Sequence, residues 1–192
     1  MLLFAYLSIL IVCCTSNNSA QTSKLQNEIM EFDSSYTKTI NKDSNIASVF
    51  LDYNFIEDIT VFDSIGQVIK TIKNDIENEN VVMFQLLEKN DSMFHVIAYW
   101  SLDLKFLVDG WIYKKNHLRI FSASYNQDFI LYEMPYTREN IVITENKYNP
   151  KMYEVIDFEG NWLKIKTKVG DKICQGWMPP EMQCSNIYST CN

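Results

Sequence analysis

What most restricts the fold of this chain is a succession of short apolar segments, each too brief for a helix and each followed by turn residues. The clearest is the stretch from Trp162 to Trp177, Trp-Leu-Lys-Ile-Lys-Thr-Lys-Val-Gly-Asp-Lys-Ile-Cys-Gln-Gly-Trp. Leu163 and Ile165 alternate with Lys164, Lys166 and Lys168. A period of two places apolar side chains on one face of a strand and ammonium groups on the other. Val169-Gly170-Asp171-Lys172 supplies a turn, and Ile173 to Trp177 supplies a return strand. The expected structure is a β-hairpin that begins on one tryptophan and closes on a Gly-Trp pair.

The same signals begin near Asn45. Ile59-Thr60-Val61-Phe62 reads as a strand, Asp63-Ser64-Ile65-Gly66 as a turn, and Val68-Ile69-Lys70-Thr71-Ile72 as a second strand. Residues 81–87 and 93–100 are two more, separated by Asn90-Asp91-Ser92, and Phe106-Leu107-Val108 leads into Gly110-Trp111-Ile112-Tyr113. No helix-length periodic run lies between them, so a small barrel or sandwich is expected.

The order then repeats. Phe129-Ile130-Leu131-Tyr132 matches residues 59–62, Ile141-Val142-Ile143 takes the place of 68–72, and 152–157 answers to 82–87. Asn161-Trp162-Leu163-Lys164-Ile165 falls under Ser92-Met93-Phe94-His95-Val96, and Gly176-Trp177-Met178 under Gly110-Trp111-Ile112. The two Gly-Trp pairs stand 66 residues apart. That is the size of a small domain rather than of a solenoid unit, whose periods run about 20 to 50 residues.

Residues 1–12 are almost wholly apolar and carry no charge. A bilayer span needs about 20 residues, whereas the apolar part of a secretory signal is shorter. Two processing routes fit. Leu10-Ile11-Val12-Cys13-Cys14 resembles a lipoprotein signal with Cys14 lipidated, and a cut after Ala20 would instead leave Gln21 first. An exported protein is expected either way, periplasmic or at the outer membrane and cell surface. Membrane contact would come only through a lipid on Cys14. Leu25, Ile29, Phe32, Tyr36 and Ile40 form one narrow helical stripe, a docked helix or a tether. The expected organisation is a signal segment (1–20), a helix or tether (21–44), and two β units (45–118 and 119–192).

The formal charge of −7 opposes nucleic acid as a partner. His95 and His117 are not spaced as a metal pair, and Cys174, Cys184 and Cys191 form no Cys-x-x-Cys, so neither metal nor other cofactor is expected. The five glycines build no phosphate loop. With no catalytic constellation in a recognisable motif, catalytic residues are expected to be none; a hydrolase using His95 with a cysteine is the weakest of the alternatives. In an oxidising compartment the cysteines would pair. Cys184 with Cys191 would pin the polar tail, and Cys174 with Cys184 would tie it to the preceding strands.

The run Tyr153-Glu-Val-Ile-Asp-Phe-Glu-Gly-Asn-Trp-Leu-Lys-Ile, with Gly176-Trp177-Met178, resembles the bacterial SH3-like domain. The tail after Met178 resembles that of exported proteins of Bacteroidetes-type bacteria. The resemblance covers about 126–192 well and 45–118 more loosely, where Met93 stands in place of the family's tryptophan. It implies an all-β chain of two tandem five-stranded barrels. It also implies a non-enzymatic envelope module that binds a peptide, peptidoglycan or an envelope protein, or else an accessory or inhibitor of a secreted enzyme. Trp111, Trp162 and Trp177 are expected in the cores, because a domain of about 60 residues has little else to bury. Tyr99, Trp100, Tyr113, Tyr125 and Tyr136 are the candidate ligand-binding aromatics, in a groove or between the barrels across a linker at 113–126.

Overall fold

The computed structural model describes residues 45–188 apart from 116, 124–127 and 146–150, and also Cys191. The signal segment, Cys14, the stripe at 25–40 and Tyr125 therefore lie outside the described residues. The described chain is all-β. Its strands are β1 (Ala47–Leu51), β2 (Ile59–Phe62), β3 (Val68–Ile72), β4 (Val82–Lys89), β5 (Met93–Trp100), β6 (Phe106–Tyr113), β7 (Leu118–Ser122), β8 (Phe129–Tyr132), β9 (Ile141–Glu145), β10 (Met152–Glu159), β11 (Trp162–Val169), β12 (Lys172–Met178) and β13 (Gln183–Cys184).

These strands form one antiparallel sheet in the order β3-β2-β6-β5-β4-β1-β7-β10-β11-β12-β8-β9, with β13 on the side of β7. The expectation from sequence was two separate barrels; the pairings describe a single path open at β3 and β9. Read outward from the centre, the two ends follow the same order with every strand number raised by six. The irregularities correspond as well. Register shifts fall between Leu86 and Glu88 in β4 and between Val155 and Asp157 in β10. They fall again between Val61 and Phe62 in β2 and between Leu131 and Tyr132 in β8. The pairings of Glu88 with His95 and of Asp157 with Lys164 set β10 one residue away from the sequence match of 152–157 to 82–87.

β1 and β7 join the two ends. β1 pairs with β4 on one side and with β7 on the other, and β7 pairs with β10. Residues 113–126 were expected to be a linker, yet they contain this central strand. Leu118 and Ile120 are fully buried, so this segment is core rather than connection.

Alternation sorts the side chains between faces. On β4, Val82, Phe84 and Leu86 enter one large core that also takes Val96, Ile112, Ile120, Val155, Leu163 and Ile165. That core draws on both ends of the sheet. Met83, Ile97, Tyr99 and Phe50 point the other way into a smaller cluster, against which Leu104, Phe121 and Ile187 pack. A third cluster unites Tyr132, Trp162 and Trp177.

The glycine of each Gly-Trp pair is a crossing point. A Cβ on Gly110 would lie 2.6 Å from the Phe62 carbonyl oxygen and 2.7 Å from a Val61 methyl. One on Gly176 would lie 2.8 Å from Leu131 Cβ. Only glycine lets the β2–β3 and β8–β9 hairpins lie so close on β6 and β12. The following tryptophan takes the opposite face. Trp162 and Trp177 are buried, but in the third cluster rather than the main core. Trp111 is only half-buried, stacked on His95 with ring centroids 5.1 Å apart. The expectation of Trp111 as a core residue is thus corrected: Gly110 and Ile112 face the core, so parity sends Trp111 outward.

A disulfide joins Cys184 and Cys191, and Cys174 is a free, half-buried thiol. The closed loop holds the tail against the β4–β5 side. Ile187 packs on the Tyr99 cluster, and the Tyr188 hydroxyl donates to the Glu79 carbonyl and meets Ser101 Oγ, each at 2.6 Å.

Candidate functional site

A cleft of about 630 Å³ opens beside the ends of β3 and β5. That volume lies within the usual range for ligand sites, about 300 to 1,000 Å³. Trp100 at the end of β5, Leu107 on β6 and Ile72 at the end of β3 form its apolar floor. Tyr53, Phe55 and Ile56 of the β1–β2 loop form one wall. Lys70, Lys73, Asp75 and Glu77 supply charges of both signs at the opposite rim.

Each wall is fixed by short polar residues. Asp52 terminates β1 and is the pivot of the first wall. Its side chain accepts from the Asn54 amide at 2.9 Å and pairs with Arg119 of β7 at 2.8 Å. Its amide donates to the His117 carbonyl, and its carbonyl accepts from the Phe55 amide. Asn74 fixes the other wall. Its amide nitrogen donates to the Leu51 and Asp52 carbonyls, and its oxygen accepts from the Val82 amide. Buried at 8 % exposure and bonded at both ends of its amide, Asn74 ties the β3–β4 connection to the end of β1. Lys70 Nζ of β3 donates to the Leu107 carbonyl of β6 at 2.7 Å.

Phe55 also walls a smaller pocket of about 150 Å³, shared with Asp58, Thr60, Phe62, Tyr113, Lys115 and His117. His117 is 1 % exposed, and neither ring nitrogen has a hydrogen-bond partner. Its ring centroid lies 5.3 Å from that of Phe55. Burial, with the nearby Lys115 and Arg119 charges, lowers its pKa to about 4. A cation there would be both desolvated and repelled.

The four candidate aromatics among the described residues do not gather in one place. Trp100 is in the cleft, and Tyr113 lies edge-on to Phe62 beside the small pocket. Tyr136 sits at the second end of the sheet against Trp162, with ring centroids 5.9 Å apart. It is 62 % exposed on a backbone with φ 62°, a conformation a bulky residue rarely adopts. Tyr99, a further candidate ligand-binding aromatic, is buried. It is 5 % exposed, and burial raises the pKa of its phenol, opposed in part by a hydrogen bond with Ser48. Of the adjacent pair, Tyr99 faces the smaller cluster and Trp100 packs on the main core.

His95 is engaged by Asp109, at 2.6 Å, and by Trp111. The free thiol of Cys174 is on β12, whose partner in the ladder there is Thr167. No group of three His, Cys, Asp or Glu side chains suited to a metal ion occurs among the described residues. The cleft lining holds aromatic, aliphatic, amide, lysine and carboxylate groups. Such a lining offers apolar contact, hydrogen bonds and charges of both signs.

Sequence reasoning missed Tyr53, Phe55 and Asn74. The available signal was the string Asp52-Tyr-Asn-Phe, in which aspartate followed by asparagine favours an Asx turn. No protein-family model matches the chain, and neither the curated proteins nor the solved structures searched contain a match to it.

Proposed function

We propose that this protein is a binding module, not an enzyme, which holds an extended polypeptide segment of a partner in the Trp100 cleft. The cleft itself carries the proposal. Its floor is apolar and aromatic, its walls are pinned by buried polar bonds, and its rims are charged. Aromatic-floored grooves of this size suit extended peptides, which contribute side chains to the floor and backbone groups to the rim. The matching strand orders at the two ends of the sheet support two SH3-like units fused through β1 and β7. The Cys184–Cys191 bridge supports an oxidising compartment outside the cytoplasm.

Selection of a random peptide library on the immobilised protein tests the proposal, with sedimentation on purified peptidoglycan alongside. Peptides that bind the parent and are lost with Trp100→Ala support it. Retention by the wall polymer without peptide binding overturns it.

A further inference from the structure

The wall of the cleft stands on a group that can change charge. Phe55 forms part of both the cleft and the small pocket behind it, and its ring rests on the imidazole of His117. That imidazole is buried with both nitrogens unpartnered, an arrangement that costs stability and calls for an explanation. The same residue supports the wall through its backbone, since its carbonyl accepts from the Asp52 amide at 2.8 Å. Asp52 in turn sets the turn that carries Tyr53 and Phe55.

We propose that His117 is an acid-sensitive latch for the Trp100 cleft: protonation of its imidazole displaces the Phe55 wall and dismantles the binding surface. The charged and titratable groups around the ring are few. Lys115 lies on its own segment, Arg119 on β7, Tyr113 at the end of β6, and Asp52 and Asp58 on the loop opposite. Of the two carboxylates, Asp52 is committed to Arg119. On the ring's own segment the Lys115 cation repels an imidazolium. The ring lines the small pocket together with Phe55, so the space open to a displaced ring lies toward Phe55. A ring that moves that way moves the wall. The other histidine, His95, differs: its Nδ1 is buried without a partner, but its Nε2 meets the Asp109 carboxylate, which can accept from a charged ring.

The latch regulates the site proposed above and so rests on that proposal, but its test needs no ligand. The full chain, with Cε1–H resonances of His95 and His117 assigned, is titrated from pH 7 to pH 3.5 while the Phe55 amide and the Trp100 indole N–H are followed. The expected result is that both wall probes move reversibly with the same midpoint as His117, well below the ordinary histidine value of about 6.5. In His117→Phe, which keeps an uncharged ring against Phe55, neither probe moves over that range. His117→Gln serves if the phenylalanine variant does not fold, with the same expectation. Movement that persists in the variant would assign the change to a carboxylate such as Asp52 and overturn the latch. So would a His117 that titrates near 6.5 with the wall at rest. Failure of every peptide to bind would overturn the binding module and leave this titration readable.

Discussion

Lys164 and Trp177 face each other across β11 and β12, with the ammonium 6.0 Å from the indole centroid. His95 and Trp111 hold the corresponding positions on β5 and β6, stacked at 5.1 Å. In both places the tryptophan pairs on its other side with the last residue of a crossing strand, Tyr132 or Phe62. The Gly-Trp pairs are therefore joints between a hairpin and the strand it crosses. Glycine permits the approach, and tryptophan covers the outer face.

Gly110→Ala and Gly176→Ala should each destabilise the fold by about 1 to 3 kcal/mol, the usual range for overpacking. Gly110 should be the worse of the two. Its neighbour at 2.6 Å is a backbone oxygen, whereas the nearest atom to Gly176 is a side-chain carbon at 2.8 Å. Urea denaturation of the two variants checks the order. Losses below about 0.5 kcal/mol, the scale of ordinary surface substitutions, would remove the joint explanation.

Trp162 and the two tryptophans at these joints should not be equivalent. Trp162→Ala and Trp177→Ala empty buried sites and should cost about 3 to 5 kcal/mol. Trp111→Ala removes a half-buried indole and should cost clearly less. Thermal melts of the three variants provide the comparison, and equal losses would place Trp111 in a core after all.

These joints were legible in the sequence because Gly-Trp recurs beside apolar alternation of period two. The outward turn of Trp111 was not read, because the preceding glycine was taken to fold the indole inward, whereas Val108, Gly110 and Ile112 share the parity of the core face. What could not be read was β7. Leu118-Arg-Ile-Phe-Ser has only weak alternation, and its strand character comes from remote partners, Phe50 and Leu51 on one side and 152–154 on the other. The cleft was hidden for a similar reason. Trp100 stood out as an unassigned aromatic, but its wall is a polar loop whose shape depends on Asp52 meeting Arg119, 67 positions away (119 − 52).

Opening the Cys184–Cys191 bridge should loosen the tail. A closed loop this short restrains the unfolded chain by about 2 to 3 kcal/mol on the chain-entropy model. Cys191→Ser should lower stability by about that amount. It should also speed amide exchange at Ile187 and Tyr188, whose contacts with the Tyr99 cluster and with Ser101 depend on the loop. Unchanged exchange there would show that the tail holds without the bridge.

Stability should fall as the solution is acidified through the histidine range. Free histidine titrates near 6.5, while folded His117 titrates at about 4, so the unfolded chain binds the extra proton between these values. The resulting loss begins below about pH 6.5 and is complete below about pH 4, reaching about 3 kcal/mol. Urea midpoints at pH 7 and pH 4.5, compared between the parent and His117→Phe, measure it. The parent should lose more than the variant, and equal losses would exclude His117 as the cause.

The most direct test of the binding module is chemical-shift mapping of the labelled protein with a peptide selected on it. The peptide is predicted to perturb Tyr53, Phe55, Trp100 and the backbone of Lys70 to Glu77, and to lose its effect in Trp100→Ala while the shifts of residues remote from the cleft show that variant folded. Perturbations centred instead on Tyr136 and Trp162, or binding that survives Trp100→Ala, would contradict it.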